Sequence, residues 1–381
     1  MQATPPPPAV GANAPGWYAD PWAVAAWRWW DGQVWTAHTA AVEGRKPRLP
    51  AWLSPPVVVC GVLVALMILG LAVQAPLAIP LGLVPLAIVV PVLLWIDRVE
   101  PEPWQARIHA LLWGGTVAVF FAAIINQIVG EVAGTTAAAV LSAPIVEEAG
   151  KAVGIWYAVR RKELDGVMDG IVYAGWTALG FAVVEDFLYF AQADEGGVLV
   201  QVFVLRALLT PFAHPLFTAW TGLAIGRAAA SGKPVFPAVL WGYGLAVASH
   251  MAWNGSLTLG ETEDGAPFLG LSILLFIVLF LVGLAILFAT RRKEQKRFIA
   301  LVPWLAQRYG MAPQEISIFG DWKAMLSARR KLAKPQRSYF DGIHAALARL
   351  AHLHDQPGDT DRAREEVLMA QLNKARHRTT T

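Results

Sequence analysis

Between Ala51 and Thr290 the chain is a succession of apolar runs, each about as long as the ~20 residues an α-helix needs to cross a hydrocarbon core. No other feature restricts the fold as strongly. A backbone inside lipid must satisfy its own N–H and C=O groups, and a continuous apolar run of this length does so as a helix. The composition agrees: 56% of residues are hydrophobic and only 15% charged, with a mean hydropathy of +0.46, outside the usual soluble range. The expectation is an all-α polytopic membrane protein with about eight transmembrane helices, near residues 52–73, 76–96, 108–130, 134–159, 167–192, 199–226, 235–258 and 267–290.

Three regions follow: residues 1–50, a proline-rich start and a tryptophan-rich module; 51–290, a multi-pass membrane core; and 291–381, a cytosolic helical tail. The first ten residues carry neither a basic n-region nor an apolar h-region, so insertion is expected to begin with the first membrane helix. In the segment PGWYADPWAVAAWRWWDGQVWTAHTA, the Asp31-Gly32 pair between tryptophan-rich runs is a β-hairpin signal. The tail shows helical periodicity over Trp304–Arg308, Glu315–Leu332 and Tyr339–Leu353, with breaks at Pro313, Pro335 and Pro357. A single cysteine, Cys60, excludes an intrachain disulfide framework and a multi-cysteine zinc site.

The net charge of +3 does not point to a nucleic-acid partner, because the basic residues gather in juxtamembrane loops and the tail. One alternating set of connections holds Arg45, Lys46, Arg48, Arg98, Arg107, Arg160, Arg161, Lys162, Arg227, Lys233 and the run from Arg291 to Arg297. The other, around Gln74, Gly130, Asp194 and Glu261, holds no Lys or Arg. By the positive-inside rule both termini are cytoplasmic, in a multi-pass protein of the cell membrane.

Charged side chains at mid-bilayer cost at least ~2.5–3.5 kcal/mol each on insertion scales, yet they recur here on successive spans. The fourth span carries Glu147, Glu148 and Lys151, with Glu147 and Lys151 on one helical face, so Lys151 can offset one carboxylate and not both. The fifth carries Phe181, Glu185, Asp186 and Tyr189, the sixth His214, and the seventh His250 and Asn254, again four apart. Stripes such as Ala139, Ala143, Glu147, Lys151 and His214, Thr218, Gly222, Gly226 combine small and polar residues. Close helix approach along them turns the polar groups toward one another and encloses a shared pocket. A structural ion-pair network is the plainer reading of Glu147, Glu148 and Lys151, and a hydrogen-bonded core histidine that of His214 taken alone; Asp186 and Arg206 are assigned to structural pairing or interface positions.

In order, EEAGK, FAVVE, a histidine on the next helix and HMAWN resemble the motifs of the PrsW family of intramembrane proteases, within the wider group of CAAX prenyl endopeptidases and Abi-type membrane proteases. The resemblance covers roughly Trp95 to Leu287, including the segment DRVEPEP, and the tryptophan-rich module resembles a short bacterial module of unknown function. It implies a hydrolase acting on membrane-associated proteins, with Glu147 and Glu148 as the paired glutamates, Lys151 as the downstream base, Glu185 as the acidic member of the phenylalanine motif, and His214, His250 and Asn254 as the later motifs. Prenyl endopeptidases have histidine where this chain has Glu185, which argues against that substrate class. Glu147 is the expected general base, His250 and Asn254 the oxyanion donors, and His214 the group that orients water or protonates the leaving amine. A metal-free glutamate mechanism is expected first and zinc second; Glu147, Glu148, Glu185, His214 and His250 are the candidate ligands.

The implied partners are a membrane-anchored protein substrate, such as an anti-sigma factor cut at a first site, and the lipid bilayer, with room for a cytosolic partner on the N- or C-terminal region. Two other classes stay open. Intramembrane Glu, His and Lys also build proton-coupled transporters and channels, although no internal repeat relates the two halves of this core. A non-catalytic membrane scaffold leaves the buried glutamates unexplained.

Overall fold

The computed structural model describes residues 15–19, 27–40, 53–98, 101–161, 164, 166–231, 233–260 and 266–355, with 365, 368–370 and 372 beyond them. The basic residues at 45–48 and Lys162, the acidic loop around Glu261 and the break expected at Pro357 lie outside the described residues. The chain divides into two compact units, Met1–Pro50 and Ala51–Thr381.

The first unit contains the expected hairpin and one strand more. Strands β1 (Gly16–Ala19), β2 (Trp27–Trp30) and β3 (Trp35–Ala40) form an antiparallel sheet in the order β1-β2-β3. Asp31 makes the β2–β3 turn: its Oδ1 accepts from Gln33 N and Val34 N, both at 2.7 Å, while Gly32 takes φ +99°. Those two amides also hold the Asp31 carboxyl below the usual carboxylate range. The Trp30 and Trp35 rings meet edge-on with centroids 5.2 Å apart, and Trp30 is buried.

The second unit is helical. Its helices are α1 (Pro55–Gln74), α2 (Ala78–Ile96), α3 (Trp104–Ala133), α4 (residues 135–160), α5 (Val167–Glu195), α6 (residues 199–209), α7 (Ala213–Ala230), α8 (Val235–Gly260) and α9 (Ala266–Tyr309). Among the described residues seven stretches are long and apolar enough to cross a membrane, with α6 and α7 forming one of them. The charges of α4 set it apart from these seven; it is the eighth long helix of the core, in keeping with about eight spans. Large apolar side chains such as Leu66, Leu69, Leu274 and Leu281 stay exposed on outer faces, as lipid contact requires.

Helix α5 is the axis of the core, buried along nearly its whole length. Its small residues explain why. A Cβ added to Gly170 would lie 2.1 Å from the Gly222 carbonyl oxygen, and one added to Gly222 would lie 2.1 Å from that of Gly170, so α5 and α7 touch backbone to backbone. Farther along α5 a Cβ at Gly180 would fall 1.9 Å from the Leu111 carbonyl oxygen of α3. Trp113 Nε1 donates to Gly150 O at 3.0 Å and ties α4 to α3.

The continuous sixth span expected over 199–226 is interrupted. Helix α6 ends in a π-helical stretch, Val204–Leu209, and α7 starts only at Ala213. Pro211 disfavours helical geometry at the preceding residue, and Thr210 takes φ −126° and ψ 36°. Thr210 N and Oγ1 both return to Leu205 O, at 2.9 and 2.8 Å, satisfying the backbone at the break. Further π-helical stretches lie at Trp113–Ala118 in α3 and Ala138–Ser142 in α4.

Helix α9 runs on past residue 290 to Tyr309, and three shorter helices follow: α10 (Pro313–Gly320), α11 (Trp322–Lys331) and α12 (Lys334–Asp355). The single stretch expected from Glu315 to Leu332 is divided because Asp321 caps α11, accepting from Lys323 N at 2.8 Å and Ala324 N at 3.2 Å. Pro335 opens α12 and does not break it, a position where its missing N–H costs nothing. The close α5–α7 approach makes a direct prediction: Gly222→Val will yield little folded, monodisperse protein by size-exclusion chromatography in detergent, whereas Gly244→Val, with no atom within 4 Å of its Cβ position, will behave as wild type.

Candidate active site

The site starts with the helical spacing of α4, which sets Glu147 one turn and Glu148 three residues before Lys151. All three are buried, Glu148 and Lys151 completely. Lys151 Nζ lies 2.8 Å from Glu148 Oε1 and 3.6 Å from Glu147 Oε2, so the ammonium pairs with Glu148 and leaves Glu147 less compensated. Thr218 Oγ1 of α7 donates to the other Glu148 oxygen at 2.8 Å. The Phe181 ring of α5 packs against the ammonium, 4.1 Å from Nζ to centroid.

His214 connects this group to α5. The interruption at 210–212 puts it in the first turn of α7, with Nδ1 2.9 Å from Lys151 Nζ and Nε2 2.8 Å from Glu185 Oε2. An ammonium can only donate, so Nδ1 accepts and the ring proton sits on Nε2, facing Glu185. Arg206 continues the chain: Nη2 lies 2.5 Å from Glu185 Oε2 and Nε 2.6 Å from Asp186 Oδ1. From α8, His250 Nδ1 approaches Glu148 Oε1 at 3.3 Å without hydrogen-bond alignment, and its Nε2 stands 4.0 Å from Glu147 Oε2. The His250 ring stacks on Phe217, centroids 4.8 Å apart.

Glu147 differs from its neighbours. Asn126 of α3 approaches its Oε1 at 3.5 Å and is itself held by Ser142 Oγ at 2.7 Å, whereas the buried Oε2 has no hydrogen-bond partner. Access is graded across the cluster. The Glu147, Glu148, Lys151 and His250 side chains are at most 4% exposed, His214 10%, Glu185 14% and Arg206 21%. The group therefore reaches the surface on the α5–α6 side.

Six of the seven residues singled out in the sequence, Glu147, Glu148, Lys151, Glu185, His214 and His250, join one network from four helices. Asn254 lies one turn beyond His250, but its amide donates to Ala139 O at 2.9 Å, in the π-helical stretch of α4. Asp186 and Arg206 pair as expected, and through Glu185 they also abut His214. Asn126 and Ser142 were not singled out; an amide in the apolar run FFAAIINQIVG was the available signal. Thr218 appeared only as a member of a small-residue stripe.

Glu147, His214 and His250 each offer one ligand atom, all within 4.8 Å of one another. Three donors of this kind suit a catalytic zinc site with an open position. The charge balance suits it as well: four carboxylates face the two fixed cations Lys151 and Arg206, a formal −2 with both histidines neutral. Both nitrogens of His214 are engaged, so its ligation requires the release of Lys151 or Glu185.

The pairing around Arg206 can be tested by stability. Arg206→Met strands two largely buried carboxylates and is expected to cost roughly 3–5 kcal/mol, seen as a lowered thermal midpoint in detergent. Adding Glu185→Gln and Asp186→Asn should recover most of the loss; no recovery would show that Arg206 acts through packing alone.

Residues 102–284, just under half the chain, match the PrsW family intramembrane metalloproteases, and residues 15–48 match DUF2510, a family of unknown function. Over 135 residues the chain is 33% identical to Protease PrsW of Geobacillus kaustophilus (strain HTA426), covering 35% of this chain and 58% of that relative's length. No solved structure matches the chain. Every side chain of the buried network falls within residues 102–284, the segment that is similar to the PrsW family of intramembrane metalloproteases.

Proposed function

We propose that this protein is an intramembrane endopeptidase that hydrolyses peptide bonds of membrane-anchored proteins. The observation that carries the reading is Glu147 Oε2, a buried carboxylate oxygen without a hydrogen bond, facing Lys151 Nζ at 3.6 Å and His250 Nε2 at 4.0 Å. A carboxylate so placed is free to take a proton from water.

Around it the other residues divide the work. Lys151, Glu148 and Thr218 lock α4 to α7 and fix the His214 tautomer, so His214 can pass its Nε2 proton to a leaving amine on the more exposed, Glu185 side as its Nδ1 takes one from the Lys151 ammonium. His250 Nε2, 4.0 Å from Glu147 Oε2, is the histidine nitrogen placed to donate toward a developing oxyanion. Asn254 is a positioning residue that holds the irregular turn of α4 through Ala139 O. A divalent cation such as zinc would be held by Glu147, His214 and His250, and when bound would supply Lewis-acid polarisation and a more acidic water. Substrate is expected to enter between α5 and α6, where Glu185 and Arg206 reach the surface. The family resemblance suggests regulators such as anti-sigma factors as substrates.

Glu147→Gln keeps volume and removes the base, so cleavage should fall ~10²-fold or more while insertion and thermal midpoint are retained. Substrates are found by comparing membrane proteins cut by the wild type and by this variant. Full activity of a folded Glu147→Gln protein would refute the role of Glu147. Activity lost to a chelator and restored by zinc would assign the metal-assisted form; activity indifferent to chelation, the metal-free one.

The orientation proposed is cytoplasmic for both termini. The connection after α2, the start of α5, the end of α7 and the basic part of α9 line one cavity, so four segments assigned to the same side by charge lie at one end of the bundle. In a Cys60→Ser background, a cysteine at Glu263 should react with an impermeant thiol reagent on intact cells and one at Lys162 should not; the opposite pattern overturns this orientation.

A further inference from the structure

Asn126 is an amide in an apolar stretch of α3 whose neighbours Ile124, Ile125 and Ile128 are exposed on the outer face. The adjacent Gln127 is exposed as well and bonds within its own helix, to Glu131 Oε1 at 2.7 Å. Asn126 instead is half-buried and turns toward α4. There its Oδ1 accepts from Ser142 Oγ at 2.7 Å, and its Nδ2 approaches Glu147 Oε1 at 3.5 Å. An ionised carboxylate only accepts, so the edge of the amide that faces Glu147 is its NH2 edge, and Ser142 gives its hydroxyl proton to the carbonyl oxygen.

Asn254, the amide expected from the sequence to serve the reaction, is used on the backbone. In the π-helical stretch of α4, Ala143 N donates to Ala138 O, five residues back. The next donor in that register would be Pro144, which has no N–H, and the carbonyl it would have served, Ala139 O, is taken by Asn254 Nδ2 at 2.9 Å. Asn126 is then the amide that reaches a carboxylate of the network. Tying α3 to α4 needs only the bond to Ser142. The contact with Glu147 is additional, and it falls on Oε1, the oxygen opposite the one that faces Lys151 Nζ at 3.6 Å and His250 Nε2 at 4.0 Å.

We infer that Asn126 is a positioning residue for the general base: Ser142 orients its amide, the amide holds Glu147 Oε1, and Oε2 is thereby kept turned toward Lys151, His250 and the attacking water. The inference rests on the proteolytic reading of Glu147. A glutamate carboxylate turns easily about its last bond, so a donor on one oxygen sets the direction of the other. A displacement of about 1 Å at a reacting group can cost on the order of 10²-fold in rate. The 3.5 Å separation is long for a hydrogen bond, as catalytic contacts are before substrate tightens them.

The test uses full-length protein in liposomes, reconstituted with the membrane proteins of its own cells and scored by the fragments that wild type releases and Glu147→Gln does not. Asn126→Leu, close to asparagine in size and suited to lipid, is expected to fold and to slow release ~10- to 100-fold. Ser142→Ala should slow it less and add nothing in the Asn126→Leu background, whereas Ser142→Thr, which keeps the hydroxyl, should stay near the wild-type rate. A second readout needs no substrate. The infrared carboxylate band of Glu147, isolated by subtracting the Glu147→Gln spectrum within each background, should shift in Asn126→Leu, which an amide acting only as a helix tie would not cause. If no fragment is specific to wild type, the proteolytic reading fails and the infrared comparison still decides whether Asn126 holds Glu147. If Asn126→Leu does not fold, Ser142→Ala carries both readouts. Wild-type release by the folded variant, an unmoved band, or losses that multiply in the double variant overturns the inference.

Discussion

A fully buried lysine ammonium organises the membrane core. Lys151 has three protons to place, and Glu148, His214 and Glu147 surround it at 2.8, 2.9 and 3.6 Å, with the Phe181 ring beneath. An ion so far from water is tolerated only when its hydrogen bonds and counter-charges are in place. The register of α4 against α5 and α7 is thereby constrained, since sliding any of them would strand a charge. The tautomer of His214, its contact with Glu185 and the relative isolation of Glu147 all follow from where that ammonium sits.

Such a cluster adds little cohesion itself, because desolvation offsets much of its attraction. Cohesion comes from contact between backbones. The glycines of α5, α7 and α3 bring helices close enough for short polar side chains to meet, and in lipid this packing replaces the hydrophobic drive of a soluble core. Irregular turns then aim the side chains. The break at Thr210–Phe212 sets His214 at a helix start, and the π-helical stretch of α4 is held by Asn254 from α8. Geometry and stability thus depend on different residues, so a change that removes the chemistry can leave the bundle standing.

Helix α5 also links the buried network to the cavity at the basic end of the bundle. Asp169 lies in the cavity wall, Tyr173 donates to Glu102 Oε2 at 2.8 Å, and Glu185 reaches the network about 24 Å farther along the axis from Asp169. Arg349 of α12 donates to Pro101 O at 3.0 Å, three residues before the N-terminal end of α3. Tail and core therefore share a polar seam as well as an apolar one.

Much of this was legible in the sequence. Apolar runs of bilayer length dictate spans, because lipid offers the backbone no other partner; the spacing of Glu147, Glu148 and Lys151 dictates a shared helical neighbourhood; and Asp31-Gly32 dictates a turn through its own side-chain and glycine geometry. Those are local relations, set by the helical repeat or by neighbours in the chain. Which carboxylate Lys151 pairs with, the joining of His214 to Glu185, the Asn126 approach to Glu147 and the use of Asn254 on Ala139 were decided only by the tertiary structure. Each joins residues through the rotation and depth of separate helices or through competing rotamers, and those are set by backbone contacts such as Gly170 against Gly222, which no single segment specifies by itself.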